Sequence, residues 1–232
     1  MSQPSQPLIL SVETATLSGS VAVTRGSDLV GVIGGDPNIS HSNTLLVDVD
    51  KLLDQTQIAL PDIDLFAVAT GPGSFTGLRI GIATIKALAA TLDRPCVGIP
   101  TLEAVALSAG VSEASVALLP AGRGEVFTQL FAVRDDDSVE ALDEPAHIPP
   151  ARLLERYGHL ETLTWCGEGA VAQRNLIEQA AAGKDWRIVS QTPQLAPFVS
   201  KLALTRLRNN QLDRPDAMPA IYVRPADAQL KT

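Results

Sequence analysis

The sequence predicts an α/β protein built from two similar halves. A run of three short apolar strands with tight turns begins at Leu8, and a second such run begins at Ser115. Each run is followed by segments that alternate between helical and strand periodicity, which is typical of sheets covered by helices. We therefore expect an N-terminal lobe over residues 1–100 and a C-terminal lobe over residues 101–232, with the tail packing back on the first lobe.

Apolar periodicity and turn residues set the expected elements of the first half. The polar residues around His41 predict the start of a helix, and Pro61 marks the end of the segment that contains this helix. The expected strands are 8–12, 20–24, 29–33, 65–69 and 96–99, and the expected helices are 43–54 and 78–92.

The second half repeats the meander and then continues with shorter elements. Pro100 and Thr101 mark the start of its first helix. The expected strands are 115–119, 125–133, 138–142, 162–166, 187–189 and 221–223, and the expected helices are 102–109, 150–157, 168–182 and 196–208.

A glycine-rich loop, T-G-P-G-S-F-T-G-L-R at residues 70–79, separates a strand from a helix. Its glycines follow G-x-G-x-x-x-G, which is neither the dinucleotide fingerprint nor a Walker loop. Two interpretations stay open: a turn that packs the helix on the sheet, or an anion site at the helix start. The weak nucleotide-binding candidates, which include the turn after the first strand, are Glu13, Thr14, Thr16, Gly71, Gly73 and Ser74.

The helix after this loop carries few charges. Between Leu78 and Leu92 its only charged residues are Arg79 and Lys86, seven positions apart and therefore on one strip. A helix with so narrow a polar face must be covered, either within its own domain or by another chain. The second interpretation makes the two helices of the first lobe a partner surface. Its candidate residues are Leu45, Leu46, Val49, Leu52, Arg79, Gly81, Ala83, Thr84 and Ala87.

Composition narrows the class of function. A net charge of −8 and an aromatic share of 4% disfavour direct nucleic-acid binding, although Arg206, Arg208, Arg214 and Arg224 make the C-terminal region locally basic. Cys96 and Cys166 fit small core residues rather than a disulfide framework. No signal peptide and no membrane-spanning run is expected, so the protein is expected in the cytoplasm.

The sequence does not contain a complete catalytic set. Three histidines lack metal-ligand spacing, and no G-x-S-x-G motif occurs, so neither a metal site nor a serine nucleophile is expected. Glu13 could hold hydrated magnesium or orient a nucleophile, but the matching turn of the second half offers Pro120 instead of an acid. Glu125, inside a strand, is interpreted as a structural partner of Arg123. An ATP-dependent phospho- or acyl-transferase acting alone is the rival function, and a structural homodimer without a tRNA role is a third.

Taken in order, five features resemble one known family. They are V-E-T-A-T at residues 12–16, His41 before a helix, G-P-G-S-F-T-G-L-R-I-G at residues 71–81, A-G-R-G-E-V-F at residues 121–127, and Y-V-R-P at residues 222–225. Together they are similar to the TsaB (YeaZ) family, whose members are also described as glycoprotease-like. The resemblance spans roughly residues 8 to 228.

The resemblance implies a two-lobed actin-like, Hsp70-like and sugar-kinase-like (ASKHA) fold. It implies a non-catalytic subunit of the complex that forms N6-threonylcarbamoyladenosine at position 37 of ANN-decoding tRNAs. The implied partners are a TsaD-like catalytic subunit, a TsaE-like ATPase and, for the chain alone, a second copy; tRNA is met only through the complex. No cofactor is required by this chain, although ATP or ADP could lie near the partner interface. Two departures, Glu13 in place of the usual Asp and Pro120 in place of an acid, weigh against independent nucleotide chemistry.

Overall fold

The computed structural model describes residues 6–36, 41–214, 218–221 and 223, with only the backbone of residues 41–43. The chain forms two compact units. The first takes the chain up to Thr101 and, after a long excursion, Gln194–Ile221; the second takes Leu102–Pro193. The sequence analysis predicted a boundary between the two lobes at residue 100, with only the C-terminal tail packing back on the first lobe.

The first unit is built on a five-stranded mixed sheet. Its strands are β1 (Leu8–Glu13), β2 (Ser20–Arg25), β3 (Asp28–Gly34), β4 (Leu65–Gly71) and β5 (Cys96–Pro100), in the spatial order β3-β2-β1-β4-β5. β1 pairs antiparallel with β2 and parallel with β4. Every residue of β1 and β4 is buried, as expected for central strands covered on both faces.

Helices cover both faces of this sheet. They are α1 (His41–Thr56), α2 (Phe75–Leu92) and α7 (Ala196–Arg208), with one turn of 3-10 helix at Leu60–Asp62. The face of β3 at Gly31 is covered by Leu52 of α1, and Val68 of β4 lies against Gly81 of α2. Both helices therefore lie on the same face of the sheet, where they contact each other. Ser11, one residue from the α2-facing Val12, bonds to α7 on the other face, as strand alternation requires.

A buried hydroxyl chain fixes α7 on the sheet. Ser200 Oγ donates to Ser11 Oγ at 2.8 Å, and Ser11 Oγ donates to the Ala196 carbonyl at 2.7 Å. The Ala196 amide donates to Ser20 Oγ at 3.0 Å. These bonds satisfy buried polar groups and so lock one register of the helix on the strands.

The segment after α7 covers the free edge of β5. The Gly98 amide donates to the Asp213 carboxylate at 2.7 Å, and the Asp213 amide donates to the Cys96 carbonyl at 3.0 Å. Farther on, the Ile221 amide donates to the Thr70 carbonyl at 2.7 Å. Because the Gly98 amide and the Cys96 carbonyl are paired, the β5 edge presents fewer unpaired backbone groups to other chains.

The second unit contains a six-stranded sheet and four short helices. Its strands are β6 (Ser112–Gly122), β7 (Glu125–Val133), β8 (Val139–Ala141), β9 (Ala146–Ile148), β10 (Thr162–Cys166) and β11 (Asp185–Ile188), and its helices are α3 (Thr101–Ser108, whose first residue belongs to the first unit), α4 (Arg152–Tyr157), α5 (Glu168–Ala172) and α6 (Arg174–Ala180). The strand order is β11-β10-β6-β7-β8, with β9 also on β7. The sheet packs on a core around Trp165, Tyr157, Leu153 and Ile177.

A polar group is tied into the edge of this core. Tyr157 is buried, and its hydroxyl donates to the Asp143 carboxylate at 3.0 Å. Arg156 donates to the same oxygen through two nitrogens, at 2.9 and 2.7 Å. Burial raises the pKa of Tyr157 to about 12, so this hydroxyl stays protonated and acts as a donor at neutral pH.

The structure differs from the sequence prediction at three elements. The helix expected over 168–182 is two helices, because the backbone leaves helical geometry at Gln173 (φ −99°, ψ 16°). The strand β9 was not expected, since its three residues are too few to show a period. The strand expected over 221–223 is absent at Ile221 and Val223; residue 222 lies outside the described residues.

Candidate functional site

The glycine-rich loop packs against the turn that follows β1. The Ser74 amide donates to the Ala15 carbonyl at 2.8 Å, and the Thr14 hydroxyl donates to the Gly77 carbonyl at 2.7 Å. The loop and the turn, sixty residues apart in sequence, thus form one unit at the start of α2. Five of the six nucleotide-binding candidates, all but Thr16, belong directly to this contact or to the two strands that lead into it.

The glycines of the loop are required by this contact. A Cβ on Gly77 or on Gly81 would overlap Thr14, the first at its carbonyl oxygen and the second at its hydroxyl, well under the 3.0 Å that real Cβ atoms respect. A Cβ on Gly73 would come within 2.6 Å of the Ala15 side chain. Only hydrogen in place of a side chain allows this approach. Of the two interpretations left open, the packing of a helix on the sheet is the one visible in the structure.

Three amides at the start of α2, those of Ser74, Gly77 and Leu78, have acceptors inside the chain. Ser74 is the N-cap residue: its hydroxyl accepts from the Gly77 amide at 3.2 Å, and its carbonyl accepts from the Leu78 amide at 2.8 Å. The Gly71 amide donates to Thr101 Oγ1 at 3.1 Å. These N–H groups are therefore already paired, whereas a phosphate site needs several that point outward. Nucleotide binding by these residues stays a prediction.

Glu13 closes its own turn. One carboxylate oxygen accepts from the Thr16 amide at 2.7 Å, and the other accepts from the Thr16 hydroxyl at 2.8 Å. The Gly19 amide in turn donates to Thr16 Oγ1 at 3.2 Å. The side chain of Glu13 is buried, and both of its oxygens accept from Thr16. In the structure this acid shapes the turn that holds α2.

The outward sides of the neighbouring helices α1 and α2 are the candidate docking surface, here called the α1–α2 face. Leu46 and Val47 are 61% and 50% exposed. On α2, Ala83, Ala87 and Ala90 are exposed, and all are small. At its N-terminal end the Arg79 guanidinium lies 3.9 Å above the Phe75 ring. On α2 this face is apolar and low in charge, which is unusual for open surface. On α1 it also includes the exposed charged residues Asp50, Lys51 and Asp54.

The structure separates the expected partner residues into two groups. Leu46, Arg79, Ala83 and Ala87 are exposed, and Thr84 is half-buried. The others, Leu45, Val49, Leu52 and Gly81, are buried within the first unit, so they cannot contact a partner directly. Gly81 points inward because Thr14 occupies the space beside it, a contact that no local pattern in the sequence reveals.

By length and composition, α2 could cross a bilayer, contrary to the expectation from the sequence. It has 18 residues, and 33% of them are buried in the chain. A helix in the core of a soluble protein meets the same two criteria, so one such helix is weak evidence for a membrane. Here α2 lies on a sheet and begins at a side-chain cap.

The β6–β7 hairpin carries the second motif with candidate chemistry. Its tip, Gly122–Arg123–Gly124, has three consecutive positive φ angles of 76°, 53° and 78°. Glu125 Oε2 lies 2.8 Å from His147 Nε2 on β9, and the His147 ring stacks on Phe127 at 5.3 Å. The contact with His147 supports the interpretation of Glu125 as a structural residue.

Other ionisable groups give little sign of catalysis. Among the described residues, no group of three His, Cys, Asp or Glu side chains is placed to bind a metal ion. Burial raises the pKa of Cys96 to about 11 and that of Cys166 to about 12, so neither thiol is activated. Burial also raises the pKa of Glu168 above its ordinary value. The side chain of His41 and the residues of the Y-V-R-P motif other than Val223 lie outside the described residues.

Sequence reasoning missed several residues that hold the site together. Ala15 and Ile221 act through backbone atoms, which carry no residue-type signal. Thr101 was identified only as a helix start, yet its hydroxyl also accepts from the glycine loop. Asp213 was not identified from the sequence, although its carboxylate accepts from the Gly98 amide.

A family model described as "TsaD: tRNA N6-adenosine threonylcarbamoyltransferase" matches residues 26–204. The chain belongs to this family. Within the TsaD family, the Bacillus subtilis tRNA threonylcarbamoyladenosine biosynthesis protein TsaB is 26% identical over 225 residues, which cover 96% of both chains. The resemblance of the motifs to TsaB (YeaZ) proteins is therefore confirmed.

Solved structures confirm the fold class. YeaZ from Pseudomonas aeruginosa superimposes with a TM-score of 0.78 at 24% identity, covering 93% of this chain and 99% of that one. The Acidaminococcus fermentans (R)-2-hydroxyglutaryl-CoA dehydratase component A has a TM-score of 0.52 at 9% identity, covering 87% and 98%. These likenesses show that this TsaD-family chain shares its α/β fold with both proteins.

Proposed function

We propose that this chain is the TsaB-type subunit of the complex that forms N6-threonylcarbamoyladenosine in tRNA. In this role the chain does not catalyse the transfer; it binds a TsaD-like chain that does. The name of the Bacillus subtilis relative and the TsaD family model support the pathway. The α1–α2 face is the single structural observation that supports a docking role.

The α1–α2 face suits a helical partner. Alanines at three exposed positions of α2 let another helix approach closely, because the distance between helix axes depends on side-chain size. Leu46 and Val47 add exposed apolar area beside them. Transfer of such area out of water favours association by roughly 25 cal/mol per Å². Arg79, at one end, would pair with an acceptor of the partner.

The partner-dependent role is consistent with the first unit's internal bonding. The amides of Ser74, Gly77 and Leu78 and the Glu13 carboxylate are engaged within the chain. A transferase acting alone would need such groups for its substrate. The further parts of the proposal come from the family: a TsaE-like ATPase, a second copy when the chain is alone, ATP or ADP near the interface, tRNA bound through the complex, and a place in the cytoplasm.

The docking test uses charge on the exposed alanines. Ala83→Glu and Ala87→Glu each place a carboxylate on the α1–α2 face without a clash inside the chain, since both positions are exposed. A carboxylate trapped without a partner in an interface costs at least about 2 kcal/mol, or roughly thirtyfold in Kd. Calorimetry with the purified TsaD-like chain measures this loss.

Ala172→Glu is the matched control, because this exposed alanine also lies on a helix but belongs to the second unit. It should bind the TsaD-like chain as the wild type does. Binding by the Ala83 and Ala87 variants that equals the wild type would show that another surface docks. In parallel, the threonylcarbamoyladenosine content of tRNA should fall in cells depleted of this chain, and normal content would overturn the pathway assignment.

A further inference from the structure

One hydroxyl links the turn after β1 to two successive turns of α2. Thr14 is 1% exposed, and its Oγ1 donates to the Gly77 carbonyl at 2.7 Å. The same oxygen fills the space where Gly81 would carry a Cβ. Gly77 and Gly81 are four residues apart and so lie one above the other on the same side of the helix. Thr14 therefore fixes both the position of the first half of α2 along the helix axis and its rotation about that axis.

The Thr14 contact lies directly behind the exposed side of α2. Arg79 and Ala83 each come two residues after the two glycines, which places them about 200° around the helix axis. A helix moves as a rigid rod over such a length, so a shift at the glycines moves the exposed residues by a similar amount. The inner contact and the proposed docking face are two sides of one element.

The turn that carries Thr14 is itself fixed. Both oxygens of the Glu13 carboxylate hold Thr16, and the Ala15 carbonyl holds the Ser74 amide. The position of Thr14 is thus set from the strand on one side and from the closed turn on the other. In a nucleotide site a threonine hydroxyl at this place would face a ligand, whereas here it is buried against the helix.

We propose that Thr14 is a positioning residue for docking: its hydroxyl sets where α2 presents Arg79 and Ala83 to the TsaD-like partner. This inference rests on the proposed function. It assigns the acid-Thr-x-Thr turn to protein–protein association rather than to phosphate binding. Loss of the hydroxyl should weaken association even though Thr14 does not reach the surface.

The test compares variants that differ by one group. Thr14→Val keeps the shape and removes the hydroxyl, and Thr14→Ser keeps the hydroxyl. Thr24→Val is the buried control, because Thr24 Oγ1 is buried without a hydrogen-bond partner among the described residues of the chain. Each variant is compared at a temperature where its circular dichroism shows a folded protein. Two readouts are taken: hydrogen exchange of α2 in the lone chain, and the Kd for the TsaD-like chain.

Thr14→Val should exchange the amides of the first half of α2 faster and bind the partner about tenfold more weakly. Thr14→Ser and Thr24→Val should match the wild type in both readouts. An unchanged Kd in Thr14→Val would overturn the inference. A Kd about tenfold weaker than wild type in Thr14→Ser would also overturn it, and this second test holds even if Thr14→Val fails to fold. A wild-type chain that does not bind the TsaD-like chain would instead overturn the proposed function, and unchanged exchange in Thr14→Val would still overturn the positioning role on its own.

Discussion

Gly81→Ala offers a sharp test of how α2 is held. In an open helix this change should stabilise the protein by about 1 kcal/mol, because alanine has the higher helix propensity. Here the new methyl group would overlap the Thr14 hydroxyl. Overpacking of a filled site costs roughly 1–3 kcal/mol, and rotating Thr14 away would also lose a buried hydrogen bond worth about 1 kcal/mol. The net expectation is destabilisation by about 1–2 kcal/mol.

The clash disappears when the hydroxyl is removed. In Thr14→Ala the nearest atoms to an alanine methyl at position 81 become Val68 Cγ2 at 3.4 Å and the Cβ of residue 14 at 3.5 Å, both ordinary contacts. The favourable propensity of alanine is then free to act. Gly81→Ala should therefore stabilise the Thr14→Ala protein by up to about 1 kcal/mol, although it destabilises the wild type.

The assay is a double-mutant cycle of urea unfolding at 25 °C, with the wild type, both single variants and the double variant. The two effects of Gly81→Ala should differ by about 1–3 kcal/mol, beyond the roughly 0.5 kcal/mol expected between independent sites. Additive effects, or stabilisation of the wild type by Gly81→Ala, would refute the proposed contact between this glycine and Thr14.

Three further predictions concern ionisable groups. Burial raises the pKa of Glu168, so the folded state loses stability as the pH rises from the ordinary glutamate pKa through the raised one. Glu168→Gln should therefore stabilise the protein more at pH 7 than at pH 4. Equal gains at the two pH values in urea unfolding would contradict this. Cys96 and Cys166, with pKa values raised by burial to about 11 and about 12, should not react with a thiol reagent at pH 8 until urea unfolds the chain; rapid reaction of the native protein would contradict their burial. Tyr157→Phe should cost about 1–3 kcal/mol in thermal unfolding, because the Asp143 carboxylate loses a donor, and an unchanged midpoint would show that this bond contributes nothing.

The sequence predicted the local part of the site well. A strand, a glycine loop and a helix follow from apolar periodicity and from three closely spaced glycines, and the structure has them as β4 and α2. The narrow charged strip also marked one side of α2 correctly, since Arg79 is exposed. These features depend on residues that are close in sequence, where patterns carry information.

The contacts over long sequence distance could not be predicted in the same way. Gly81 was expected on the outer side because it is small, yet its smallness serves Thr14, which lies far earlier in the chain. The role of Asp213 at the edge of β5 depends on a fold that brings it beside Gly98. A glycine in a sequence indicates that another part of the chain packs closely there, but it does not identify that part. Hydrogen bonds donated by backbone amides cannot be predicted from residue type, because nearly every residue has such an amide.

The first unit is discontinuous, and this has a consequence during synthesis. Its sheet is complete in sequence once β5 has been made, but α7, which covers one face, follows only after the whole second unit. A nascent chain on the ribosome must therefore leave that apolar face bare while about ninety further residues are added. Chaperone dependence and aggregation of truncated chains should be greatest in the interval before Ser200 emerges.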